Sequence, residues 1–192
     1  MNIIYHPNYK HSSTKWICVH HCGGTGFDNF ASTKNFTADT INKAHQVRWN
    51  YKSSLGYFGG YNFFCDYWGN VTQFRAVGEE TMAQKKYNFD GLAISICLAG
   101  NFTKGIDMPS EAQQVALKEL INQLPQVPTS NIVPHRYFGD TECYGNGLSD
   151  DWAKNLVKVP DTANSILEKK KDLLQKIIAL YQLIIKKLLL KK

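Results

Sequence analysis

The hydrophobic pattern changes period several times along the chain, and each change marks an element. Lys15-Trp16-Ile17-Cys18-Val19-His20-His21 is rich in aromatic and β-branched residues and stops at Gly23-Gly24, which predicts a strand over 15–21. The polar, Gly- and Asn-rich stretch 25–36 reads as a loop. Ile41, Ala44, Val47 and Arg48 recur every three to four positions behind Thr37, which predicts a helix over 37–50. Ser-Ser and three Gly make 52–60 a mobile loop. Two further strands are expected at 61–67 and 71–77, joined through Trp68-Gly69-Asn70. Leu92–Ala99 is almost continuously apolar between Gly91 and Gly100, the mark of a strand buried on both faces. Pro109-Ser110-Glu111 opens a helix whose apolar face is Val115, Leu117, Leu120, Ile121 and Leu124, and Pro125 and Pro128 close it. A strand-like segment at 131–135, an irregular loop at 136–150 and a short helix at 150–158 complete this part. The order predicts an α/β (α+β) fold with a central mixed sheet flanked by helices.

Pro160-Asp161-Thr162 marks a boundary, giving expected domains 1–159 and 160–192. Beyond it Leu167, Leu174, Ile178, Tyr181, Ile185 and Leu188 fall at helical spacing, as do Leu173, Ile177, Leu180 and Ile184. The expected C-terminal element is one basic amphipathic helix. Residues 166–192 carry eight Lys against Glu168 and Asp172, so the chain's whole net charge of +6 lies there. The remainder is charge-balanced. That distribution disfavours a nucleic-acid-binding body, whose basic footprint belongs on the folded domain.

The chain has 192 residues, 43% of them hydrophobic and 20% charged, which excludes disordered and fibrous classes. A core of this size needs no metal staple, so a metal here points to chemistry. Five Cys in no regular framework, and no charged-then-apolar leader after Met1, predict reduced thiols and synthesis in a host cytoplasm without a signal peptide. No apolar run reaches the roughly 18–20 residues of a membrane span.

Two histidines stand in notable settings. His20 ends the first strand before Gly23-Gly24. His135 follows Pro134, with Cys143 eight positions later on a loop. Imidazole and thiolate suit zinc, and three protein ligands leave a fourth position open for catalysis. On spacing alone a metal site and ordinary packing both stand open. Strand alternation places Cys18 and His20 on one face and Ile17, Val19 and His21 on the other, without saying which His faces a site.

An ordered set of segments goes further. Val19-His20-His21-Cys22-Gly23-Gly24 is followed by Gly60-Tyr61-Asn62-Phe63-Phe64, by Gly69-Asn70-Val71 and Arg75, and by Gly78-Glu79-Glu80-Thr81. Ile94-Ser95-Ile96-Cys97-Leu98-Ala99-Gly100-Asn101-Phe102, Pro134-His135-Arg136 and Thr141-Glu142-Cys143 come next. Over residues 13–157 this series resembles the zinc-dependent N-acetylmuramoyl-L-alanine amidases of the type-2 family, which includes amidase-type phage endolysins and peptidoglycan recognition proteins. The resemblance implies that fold, and one Zn²⁺ per chain held by His20, His135 and Cys143. It implies Tyr61 beside a zinc-activated water that serves as nucleophile. Thr141 falls where the family has Lys or Thr, the Lys helping to stabilise the oxyanion. His21 becomes a packing or supporting residue.

Three departures stand out. Cys143 is followed by Tyr144-Gly145 where the family often has Pro. Ala83-Gln84 replace a His found in many members after Gly-Glu-Glu-Thr. Extra thiols, Cys18 and Cys22, lie near His20. Trp49, Tyr51, Tyr57 and Phe58 offer either saccharide-stacking faces or core.

The implied activity is endolysin-type hydrolysis of the amide between N-acetylmuramic acid and L-alanine, acting on the cell wall after release. The alternatives are a non-catalytic peptidoglycan-binding recognition module and a cytosolic muropeptide-recycling amidase. Recognition modules commonly lose the Cys ligand, which is present here. The tail has three readings: engagement of an anionic membrane or lipopolysaccharide, self-association, and docking on the catalytic domain. The excess of Lys over acids favours the first.

Overall fold

The structure, a computed structural model, describes residues 1–23, 31–84, 91–157, 173–174 and 177–178. The chain divides into two compact units, Met1–Val157 and Lys158–Lys192. In the first unit five strands form one sheet: β1 (Trp16–His21), β2 (Phe63–Cys65), β3 (Val71–Gln73), β4 (Ala93–Leu98) and β5 (Ile132–Pro134). Their order is β3-β2-β4-β1-β5. β1 runs parallel to β4 and β5, β2 runs parallel to β4, and β3 is antiparallel to β2. The mixed α/β fold is therefore observed.

Among the described residues three helices accompany the sheet: α1 (Ala38–Trp49), α2 (Glu111–Gln123) and α3 (Trp152–Val157). Thr37 and Ser110 cap α1 and α2, each accepting the backbone N–H three residues on while that residue's side chain bonds back. Asn50 ends α1 in the left-handed conformation, φ 48°.

Alternation sorts the sheet into two faces. Ile17, Val19, Phe63, Ile94, Ile96, Leu98 and Ile132 pack with Leu117, Leu120 and Ile121 of α2 and Ala153 of α3. Fully burying such a side chain contributes roughly 1.5–3 kcal/mol, so this layer dominates stability. Cys97 and Phe64 point to the other face, where they meet Cys22, Phe74 and Ile41 of α1. Cys18 and Val133 share that face, with Ala93 and Phe138.

The second and third strands are shorter than their apolar runs. Asn62 interrupts the ladder: its carbonyl accepts from both Phe74 N–H and Arg75 N–H, and its side chain binds Ser95 N–H and the Ala76 carbonyl. The segment 52–60 is irregular, as expected of a loop, but pinned. Ser53 Oγ donates to the Phe74 carbonyl, Phe58 N–H to Asn42, and Gly60 N–H to His45 Nδ1 at 2.9 Å. The buried Arg75 guanidinium donates to the carbonyls of Gly59, Tyr51 and Glu80 and lies 4.7 Å from the Tyr51 ring.

In the second unit Leu173, Leu174, Ile177 and Ile178 are helical and exposed. The rest of the expected tail helix lies outside the described residues. Among the described residues no helix is long and apolar enough to cross a membrane.

Candidate metal centre

Parallel strands deliver their C-terminal ends to one side, and the three candidate ligands meet there. His20 is the fifth residue of β1, His135 begins the turn that directly follows β5, and Cys143 sits on the next loop. One ligand atom from each lies within 4.8 Å of the other two. Cys143 Sγ is 3.8 Å from His20 Nδ1, and the two imidazole rings are 4.6 Å apart.

The donors fit a metal. His20 is 1% exposed, and its Nε2 has no hydrogen-bond partner among the described residues. A buried polar atom left in that state costs about 1–3 kcal/mol unless something binds there. Burial, with His135 and His21 adding to it, holds the His20 pKa well below the ordinary range, so its ring is neutral and its lone pair is free to bind a metal. Burial likewise pushes the Cys143 thiol up, opposed by the His21 backbone N–H, which donates to Sγ at 3.5 Å. A bound cation reverses that preference and draws the proton off. Two imidazoles and one thiolate form an open three-ligand set.

The loop carrying Cys143 is fixed by Arg136, the residue after the candidate ligand His135. Arg136 N–H donates to the Cys143 carbonyl at 2.8 Å. The Arg136 guanidinium donates to the carbonyls of Gly145 and Leu148, both at 2.8 Å, and to Asp150 at 2.6 Å. Gly145, with φ +94°, lies against the Phe102 backbone where a Cβ has no room. Thr141 Oγ1 accepts the Cys143 N–H at 3.3 Å, so that oxygen orients the ligand loop.

The sequence profile of the family described as N-acetylmuramoyl-L-alanine amidase matches residues 10–146. The chain belongs to this family. It is therefore a peptidoglycan amidase, and all three residues of the cluster that could hold a metal fall within the matched span. No curated protein sequence matches the chain. Solved structures share the fold. The N-acetylmuramoyl-L-alanine amidase LysC from Clostridium intestinale URNW is 21% identical, with TM-score 0.54, covering 83% of this chain and 96% of its own. The Ph2119 endolysin from a Thermus scotoductus bacteriophage is 20% identical, with TM-score 0.56, covering 76% and 86%. Wild-type Drosophila PGRP-LB is 20% identical, with TM-score 0.53, covering 73% and 78%.

Around the amidase centre, Tyr61 lies with its ring 5.2 Å from His20 and 5.5 Å from His45. Burial raises its pKa, with the neighbouring Cys97, Cys22 and Cys143 thiols adding to it, so it stays protonated and can donate. Thr141 lines a groove of ≈ 430 Å³ beside β5 with Tyr137, Arg136 and Asp150. His21 turns to the opposite face, as alternation requires, and its Nδ1 accepts the Phe102 N–H at 2.9 Å. Tyr51 and Tyr57 keep exposed faces, while Trp49 is half-buried against His45, 4.4 Å away. Sequence reasoning missed His45 as the clamp on Gly60 and Arg136 as the clamp on the Cys143 loop. A His on α1 and an Arg beside a candidate ligand were the only signals.

Proposed function

We propose that this amidase is a zinc-dependent enzyme of endolysin type that cleaves the amide between the N-acetylmuramic acid lactyl group and L-alanine. The convergence of His20, His135 and Cys143, with a partnerless buried nitrogen on His20, carries the reading. Zinc held there supplies Lewis acidity to the scissile carbonyl and lowers the pKa of water toward 7. The chain's own groups do the rest. The His21 N–H and the loop bonds from Arg136 and Thr141 hold Cys143 in place. Tyr61, protonated and beside His20, donates its hydroxyl to the water or to the developing oxyanion. Tyr51 and Tyr57 present exposed rings for saccharide stacking.

Purified peptidoglycan tests the bond assignment. Digestion is expected to release new alanine amino termini with no rise in reducing sugar ends, and to stop with chelator. Reducing ends without alanine termini would contradict it.

The membrane-directed part of the proposal concerns residues 160–192. The apolar side chains at 173, 174, 177 and 178 are helical and all exposed, which supports a face for a lipid surface or lipopolysaccharide. Synthesis in a host cytoplasm and action on the wall after release complete the proposal.

A further inference from the structure

Two cysteines beside the centre take no part in it. Cys22 and Cys97 are both free thiols, 7% and 0% exposed, with their sulfurs 3.5 Å apart. The sheet register brings them together. Cys97 in β4 lies opposite His20 in β1. Two residues further on, Cys22 returns to the same face, and its N–H continues the ladder to the Leu98 carbonyl at 3.1 Å. The pair is therefore diagonal. Strands about 4.8 Å apart with a rise of about 3.3 Å per residue put such Cα atoms about 8 Å apart. A disulfide spans no more than about 7 Å without backbone movement.

A cation between the sulfurs meets no such obstacle. Two thiolates at about 2.3 Å from one tetrahedral ion lie about 3.8 Å apart, a few tenths of an ångström beyond the observed contact. Ile41, Phe64, Phe74 and Ala99 surround the pair. In that apolar setting two thiolates and a divalent ion form a neutral unit, whereas a monovalent ion leaves a net buried charge. Binding exchanges two thiol protons for one divalent ion, with no electron transferred. Tyr61 packs against the same cluster, so its hydroxyl is at hand as a further donor.

We propose that Cys22 and Cys97 form a second cation site for a thiophilic divalent ion, such as zinc in excess, and that filling it inhibits the amidase by engaging the Tyr61 hydroxyl and keeping it from the reacting groups. The inhibitory half rests on the role proposed for Tyr61; the binding half does not.

Cadmium is the probe, added to the full-length, zinc-loaded chain. Total metal is expected to rise from one to two per chain, with a thiolate-to-cadmium ultraviolet band. Cys143→Ser is expected to keep one cadmium with a two-thiolate band, independently of the catalytic centre. Cys22→Ala, and Cys22→Ser as its check, are expected to stay at one metal with native circular dichroism. A folded wild type that stops at one metal, or a Cys22→Ala variant that still takes two, overturns the site. Excess zinc is expected to inhibit the wild type at least fivefold more strongly than Cys22→Ala. Equal inhibition overturns the inhibitory half. Full turnover by Tyr61→Phe instead refutes the Tyr61 role and leaves the metal count standing.

Discussion

Replacing Arg136 by Ala tests whether one side chain holds the metal loop in register. Its guanidinium makes two 2.8 Å bonds to carbonyls of the loop and a third, longer one of 3.4 Å to Glu142. Its ion pair with Asp150 joins a side chain 21% exposed to one 70% exposed, and contributes at most about 1 kcal/mol. Bonds from a charged donor are worth about 1.5–3 kcal/mol each. Allowing for partial rehydration of the freed carbonyls, Arg136→Ala is expected to destabilise the protein by about 2–4 kcal/mol. Zinc affinity is expected to fall on the order of 10–100-fold, the usual cost of losing a group that orients a ligand. Arg136→Lys is expected to resemble Ala, because one ammonium cannot reproduce the fork by which separate guanidinium nitrogens donate to the Gly145 and Leu148 carbonyls. Urea midpoints and competition with a chromophoric zinc chelator measure the two effects. Unchanged midpoint and affinity in Arg136→Ala would refute the reasoning.

Other outcomes follow from the same geometry. His45, half-buried, has its pKa lowered to about 4 by burial, helped by Arg48 and Arg75. The unfolded chain therefore binds more protons between about pH 6.5 and 4, so stability is full above 6.5 and falls as the pH drops, by up to about 1.4 kcal/mol per unit. His45→Gln, which still accepts the Gly60 N–H, is expected to flatten that slope in urea melts; an identical slope argues against it. Gly145→Ala must adopt φ +94° against the Phe102 backbone, and a loss of about 2–4 kcal/mol is expected by thermal or urea melting. A 1–163 truncation is expected to digest purified peptidoglycan normally but to lose leakage of anionic liposomes. Equal leakage by both forms would refute the tail's membrane role.

Much of this arrangement is written in local pattern. The edges of β1 and β4 follow from their β-branched runs and bounding glycines, and Thr37 and Ser110 announce their helices. Alternation correctly separated His20 from His21, but the choice between them came from the family motif. Local pattern is silent on register. That His20 stands opposite Cys97, and that Cys22 therefore meets Cys97, depends on a parallel pairing across many residues of chain. The same blindness hid His45 and Arg136, whose work is done on distant backbone groups. The late start of β2 and the early end of β3 trace to Asn62, whose amide takes over ladder bonds that a longer apolar run promises, while Asp66 ends β2 by accepting the Trp68 and Asn70 N–H groups of the turn.

Metal content measured beside lysis tests the central claim most directly. Wild type and Cys143→Ser are purified in parallel, analysed for zinc, and assayed by turbidity loss on purified peptidoglycan. One zinc per chain in the catalytic unit of the wild type, absent together with lysis in the folded variant, is the predicted result. Lysis that survives in a zinc-free Cys143→Ser chain would contradict the account.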